Sequence, residues 1–209
     1  MTKNFIKICG ITNYDDAAAS VDAGATAIGF NFYLKSKRYI QPVEAKNIAD
    51  KLRGKISFVG VFVNEEVDSV KSIAAMVKLT YCQFHGDESP DFVNRFGNAI
   101  KAFRVNESLK TVYFDDYKTK IFLLDGYKEQ EYGGTGTTFN WLIAREANEF
   151  GKIIIAGGLN ANNVSDAIET AQPWGVDVSS GVEKSPGQKD HEAVKRFVEN
   201  AHNAFENLG

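Results

Sequence analysis

A closed barrel of eight parallel strands, each followed by a helix, is the fold class this chain predicts, and three observations predict it. Short apolar, β-rich runs recur eight times along the 209 residues, with amphipathic helical stretches between them. The runs are too apolar to leave a face in water, as expected of a parallel sheet covered by helices. No linker, low-complexity tract or charge block divides the chain, so residues 1–209 read as a single domain. Eight repeats suggest closure into a (β/α)8 TIM barrel at the compact end of its usual size, with a doubly wound open sheet as the alternative.

Each element has its own signal. The strands are expected at residues 5–9, 26–32, 56–63, 79–85, 99–105, 120–125, 152–156 and 175–179. Pro42 suits a first helical position, with Ala45, Ile48, Ala49 and Leu52 on one stripe behind it. Asn64 is the expected cap of the next helix, with Glu65 and Glu66 in its first turn and Val67, Val70, Ile73, Ala74 and Val77 facing inward. Ser89-Pro90 opens another helix, and a weakly signalled one falls within 107–117. Thr137 or Thr138 starts the sixth and Asn160 the seventh, which carries Val164, Ala167, Ile168 and Ala171 at helical spacing. Val194, Phe197, Val198, Ala201 and Phe205 form the stripe of the last helix.

Composition narrows the class of function. A formal net charge of -3 gives no basic footprint, so nucleic acid is not an expected partner. No apolar stretch reaches the ~20 residues that a spanning helix needs, so no membrane contact is expected. Residues 1–4 are polar and carry no signal-peptide core. Cys9 and Cys82 both lie in strand-like runs and read as free thiols in a reducing cytoplasm. Three histidines without metal-ligand spacing leave no metal site to expect.

In such a barrel ligands bind at the carboxyl ends of the strands, and the polar residues there are the candidates. The first strand brings Lys7 and Cys9 to one face, because side chains alternate. Cys9 is then either a small buried hydrophobe or a reactive thiol, and Asp125, at the end of strand six, is either a loop cap or its partner. A free thiol has a pKa near ~8.5, so a general base here needs that value lowered, by Lys7 or by a helix terminus. An aspartate has the converse problem and needs burial to act as an acid. Lys7 itself would lie deep in the barrel and must be paired, with Asp177 as the candidate. Arg38 fits a carboxylate clamp or a solvated loop charge, and His85 a mouth residue or a structural one. Arg38, His85 and Lys7 make the expected substrate-binding set. Glycine clusters after strands seven and eight, where barrel enzymes commonly build phosphate sites, single out Gly157, Gly158, Ser180 and Gly181, with Gly134 adding a donor from loop six. Cys82 faces away from the mouth and reads as packing.

These residues lie in segments that together resemble the phosphoribosylanthranilate isomerase family. They are KICGIT (7–12), GFNFYLKSKRYI (29–40), VGVFVN (59–64), QFHGDE (83–88), LLD (123–125), GGTGTTFNW (133–141), AGGLNANNV (156–164) and GVDVSSGVEKSPGQKD (175–190). They occur in order across nearly the whole chain. The resemblance implies an Amadori rearrangement of N-(5-phosphoribosyl)anthranilate in tryptophan biosynthesis, without cofactor or metal. It implies Cys9 as general base, Asp125 as general acid, Arg38 on the anthranilate carboxylate and loops seven and eight on the phosphate. The partner is then a small-molecule substrate, and the chain a monomer or homodimer. Leu34 and Lys37 stand where the family usually has proline, Thr137 and Asn140 where it often has Lys and Asp, and Asn31 where an apolar residue is usual. Two rivals follow from the same pattern. The related histidine-pathway isomerase uses aspartate where Cys9 stands, and a non-catalytic phosphosugar-binding barrel would not need Cys9, Asp125 and Arg38 together.

Overall fold

A computed structural model describes residues 4–105, 112–126 and 140–209. Eight parallel strands close into a barrel in sequence order, from β1 (Phe5–Cys9) and β2 (Ala27–Asn31) through β3 (Ser57–Phe62), β4 (Tyr81–Phe84), β5 (Ala99–Val105), β6 (Ile121–Gly126) and β7 (Lys152–Ala156) to β8 (Gly175–Val178). Pairing of β8 with β1, Asp177 opposite Lys7, makes the closure. The expected strands overlay these within two residues at each end. The closed order excludes the open doubly wound sheet.

Helices cover the outside: α1 (Tyr14–Asp22), α2 (Pro42–Leu52), α3 (Val67–Val77), α4 (Pro90–Val93), α5 (Val112–Asp115), α6 (Trp141–Ala147), α7 (Val164–Ala171) and α8 (His191–Asn207). Their apolar stripes meet the outward residues of the strands in one continuous layer, in which Phe30, Phe62, Phe84, Phe122 and Phe197 are fully buried. Burying a side chain of that size contributes about 1.5–3 kcal/mol. A second, smaller apolar cluster fills the lower barrel interior with Phe5, Ala27, Val59, Ile100, Leu123 and Ile154. Above it the interior turns polar, at Lys7, Gln83, Asp125 and Asp177, all buried. A polar layer over an apolar plug is what places chemistry at the mouth.

Two helix starts differ from the sequence expectation. Asn64 does not cap α3, which begins at Val67 behind Glu66. It adopts a left-handed φ of 51°, a conformation Asn tolerates, and its side chain accepts from the N–H of Asp87. Asn160 likewise sits in a turn four residues ahead of the first residue of α7, whose cap is Asn163. Thr137 and Thr138 lie outside the described residues, and α6 is capped by Asn140, which accepts from Leu142 N–H. After β8 the chain makes a three-residue 3-10 turn (Ser180–Val182) and a small antiparallel pair, β9 (Glu183–Ser185) with β10 (Gln188–Lys189). Buried Asp16 of α1 holds that pair down, accepting from Lys189 N–H at 2.9 Å.

Candidate active site

The mouth of the barrel holds a cleft of about 750 Å³, and Cys9, Arg38, His85, Asp125, Gly157, Gly158, Ser180 and Gly181 all line it. Eight of the ten residues singled out from the sequence thus meet in one place. Lys7 lies beneath the floor instead, fully buried, and so does not reach the cleft itself. Gly134 lies outside the described residues.

Lys7 donates to Oδ2 of Asp177 at 2.8 Å, the expected pair, and to Oε1 of Gln83 at 2.6 Å. Burial works against its charge, but Asp177 and Cys9 outweigh that and hold the ammonium above its ordinary range. Space for this arrangement comes from Gly29, which pairs with Cys9 across β1 and β2. A Cβ at Gly29 would stand 2.8 Å from both Cys9 Sγ and Lys7 Cε. Only glycine leaves both side chains their room.

Cys9 departs from expectation in its electrostatics. Burial pushes the thiol up, and although Lys7 and Lys189 pull it down, Asp177 adds to the upward side and the net shift is upward. Desolvation thus opposes the lowered thiol that Lys7 alone would make. Asp177 sharpens this picture, since its Oδ1 is buried without a hydrogen-bond partner among the described residues.

Across the mouth, Oδ2 of Asp125 lies 3.1 Å from Nε2 of His85, and Nδ1 of His85 lies 2.9 Å from Nε2 of Gln83. His85 is held from outside the barrel as well. Lys101 on β5 donates to Gly86 O and to Glu88 Oε2, each at 2.8 Å, and Glu88 also takes the N–H of Asn64. The turn that carries His85 is therefore fixed on both sides. Gly157 packs against Asp125. Its φ is +83°, and a Cβ there would fall 2.6 Å from Oδ1 of Asp125.

Arg38 is neither solvated nor unengaged. Its Nε and Nη2 grip both carboxylate oxygens of Glu183, at 2.8 and 2.7 Å. This hydrogen bonding raises the Arg38 guanidinium further, and Arg38 with Lys189 overcomes burial to hold the Glu183 carboxyl below the usual range. Lys189, buried, donates in turn to Glu183 Oε1 at 2.9 Å, Cys9 O at 2.6 Å and Ser179 O at 3.2 Å. It staples the exits of β1 and β8 together across the seam of the barrel. Asn31 shapes the neighbouring loop by accepting from Tyr33 N–H.

Sequence reasoning passed over Gly29, Gln83, Glu183 and Lys189 as site residues. Gln83 had a signal, since strand alternation sets it on the interior face. Lys189 had none, because the two strand exits it joins, at Cys9 O and Ser179 O, are 180 and 10 residues away in sequence.

A family profile described as N-(5'-phosphoribosyl)anthranilate isomerase matches residues 6–200. A curated relative of that name from Trichlorobacter lovleyi is 46% identical over 202 residues, covering 96% of this chain and 98% of its own. The crystal structure of phosphoribosyl anthranilate isomerase from Thermotoga maritima superposes with a TM-score of 0.88 at 39% identity, over 96% of this chain and all of its own. A further such structure, in complex with reduced 1-(o-carboxyphenylamino)-1-deoxyribulose 5-phosphate, gives a TM-score of 0.84 at 38% identity, over 96% of this chain and 100% of its own. With a matching profile over most of its length and relatives this similar, the chain belongs to the N-(5'-phosphoribosyl)anthranilate isomerase family.

Proposed function

We propose that Cys9 and Asp125 carry out the family's reaction, the isomerisation of N-(5-phosphoribosyl)anthranilate to the 1-deoxyribulose 5-phosphate product, as base and acid. The observation that carries this assignment is their position, on β1 and β6, lining one cleft at the mouth of the barrel. Asp125 protonates the ribose ring oxygen, and the ring opens to an iminium. Cys9 then removes the proton from C2′, and the resulting enolamine tautomerises to the ketone. A proton shift between two carbons of a sugar needs an acid and a base on different sides of it, which the barrel provides.

Arg38 holds the anthranilate carboxylate. Since Glu183 occupies its Nε and Nη2 side, the substrate binds through Nη1 and the remaining Nη2 proton, so Glu183 aims the guanidinium. Gly157, Gly158, Ser180 and Gly181 take the phosphate through backbone N–H groups. The helix nearest loop seven starts only at Val164, so its dipole contributes less there than the loop amides do. Among the described residues no helix is long and apolar enough to cross a membrane. A cytoplasmic location and a monomer or homodimer complete the proposal.

Asp125→Asn tests the acid role. Turnover, read as the decay of anthranilate-substrate fluorescence, should fall about 10²-fold or more. Retention of more than roughly a tenth of the wild-type rate would refute it, and failure of the intact protein to restore growth to a strain lacking the isomerase would refute the function as a whole.

A further inference from the structure

A hydrogen-bonded line of side chains runs from Asp177 on β8 through Lys7, Gln83 and His85 to Asp125 on β6, and chemistry fixes its direction. The Lys7 ammonium has protons to give and no acceptor, so the amide oxygen of Gln83 must face it, at 2.6 Å. The amide nitrogen of Gln83 is then turned to Nδ1 of His85, at 2.9 Å. That nitrogen only donates, which makes Nδ1 the acceptor and leaves the ring proton on Nε2. Nε2 in turn lies 3.1 Å from Oδ2 of Asp125, which accepts. Gln83 borders the cleft but is only 1% exposed, and both ends of its amide are engaged by Lys7 and His85.

We propose that Gln83 is a positioning residue of this site: anchored on Lys7, it holds His85 as the Nε2–H tautomer and so confines the proton that Asp125 delivers to Oδ1. The last step of this inference rests on the acid role proposed above for Asp125. In the opposite tautomer Nε2 would be an acceptor, and the proton of Asp125 would be spent on the ring instead of on the sugar oxygen. With the tautomer fixed, Oδ2 is occupied by a donor. The transferable proton then sits on Oδ1, beside Gly157 in the cleft. Once that proton has left, the new carboxylate already has a hydrogen bond aimed at it, with no reorganisation needed.

The ring nitrogens of His85 report this directly. In protein labelled with 15N at histidine, His85 should show a protonated, pyrrole-type Nε2 and a pyridine-type Nδ1. Gln83→Glu keeps an acceptor for Lys7 but offers His85 only an acceptor, so the proton should appear on Nδ1. Gln83→Leu removes both bonds and should give a mixture of tautomers. Turnover in Gln83→Glu should fall about 10²-fold, the scale of a lost general acid. In a His85→Gln background, where the amide has no tautomers, the same change should cost less than about threefold, a coupling that a merely structural role would not show. An unchanged Nε2–H ring in both Gln83 variants, or an equal loss in the two backgrounds, would overturn the proposal. The ring spectrum is read without turnover, so it stands apart from the result for Asp125→Asn.

Discussion

The two cysteines of this barrel sit on strands whose side chains point in opposite directions, and the contrast separates burial from chemistry. Cys82 points outward from β4 into the helix layer, buried among apolar groups, and desolvation alone pushes its thiol up to about 12. Cys9 points inward at the end of β1, and burial pushes it upward too. What distinguishes Cys9 is its company. Lys7 and Lys189 stand ready to stabilise a thiolate, Gly29 leaves the sulfur its space, and a cleft opens above it. Desolvation raises both thiols, but only Cys9, half-buried beneath the cleft, has partners that can answer a change of charge.

The comparison can be broken or sharpened by changing one side at a time. The largest effect among the supporting residues is expected at Gly29. Gly29→Ala forces a methyl group against Cys9 and Lys7, so kcat should fall at least about tenfold, with a stability loss of about 1–3 kcal/mol on chemical unfolding. Wild-type kinetics in that variant would mean the close packing around Cys9 is irrelevant. Next comes thiol reactivity. Because the Cys9 value is raised, alkylation of native protein should be slow at pH 7 and should climb with pH beyond the ordinary thiol range near ~8.5. Mass spectrometry should find the label on Cys9 while Cys82 stays unmodified, and equal labelling of the two would erase the distinction.

The smallest effect concerns Cys82 and stability at alkaline pH. Its folded value is raised to about 12, so above ~8.5 the unfolded chain loses the thiol proton while the folded one keeps it. The unfolded state then binds fewer protons, and stability falls as pH rises through this window. Between pH 8 and 10.5, wild type should lose roughly 2 kcal/mol more than Cys82→Ala in urea unfolding, at up to ~1.36 kcal/mol per pH unit. Turnover at neutral pH should be unchanged in the variant. Equal alkaline losses would contradict the buried-thiol reading.

Much of the barrel was legible because its strands are apolar runs of the right length and its helices carry regular stripes. Helix starts were less so. Asn64 and Asn160 are ordinary capping residues by type, but each is engaged by its own turn: Asn64 bonds to the loop after β4, and Asn160 accepts from Asn162 N–H at 2.8 Å. A capping preference is local, and these partners compete with it. At the site, Cys9, Asp125, His85 and Arg38 could be chosen because each ends a strand or follows one. The network that governs them could not. Lys189 reaches across the barrel seam, Glu183 takes the guanidinium that the sequence reserved for substrate, and the space beside Cys9 belongs to a glycine on the next strand. The direction of the Cys9 shift is equally illegible, because it is set by desolvation in the folded barrel, which outweighs the pull of Lys7 and Lys189.

The most direct test of the account is the turnover of N-(5-phosphoribosyl)anthranilate by Cys9→Ala beside Cys9→Asp, with binding of a product analogue measured in both. If Cys9 is the base that takes the C2′ proton, the alanine variant loses at least about 10²-fold in kcat while still binding the analogue, and the aspartate variant recovers a measurable part of the rate. Wild-type turnover by Cys9→Ala would contradict it.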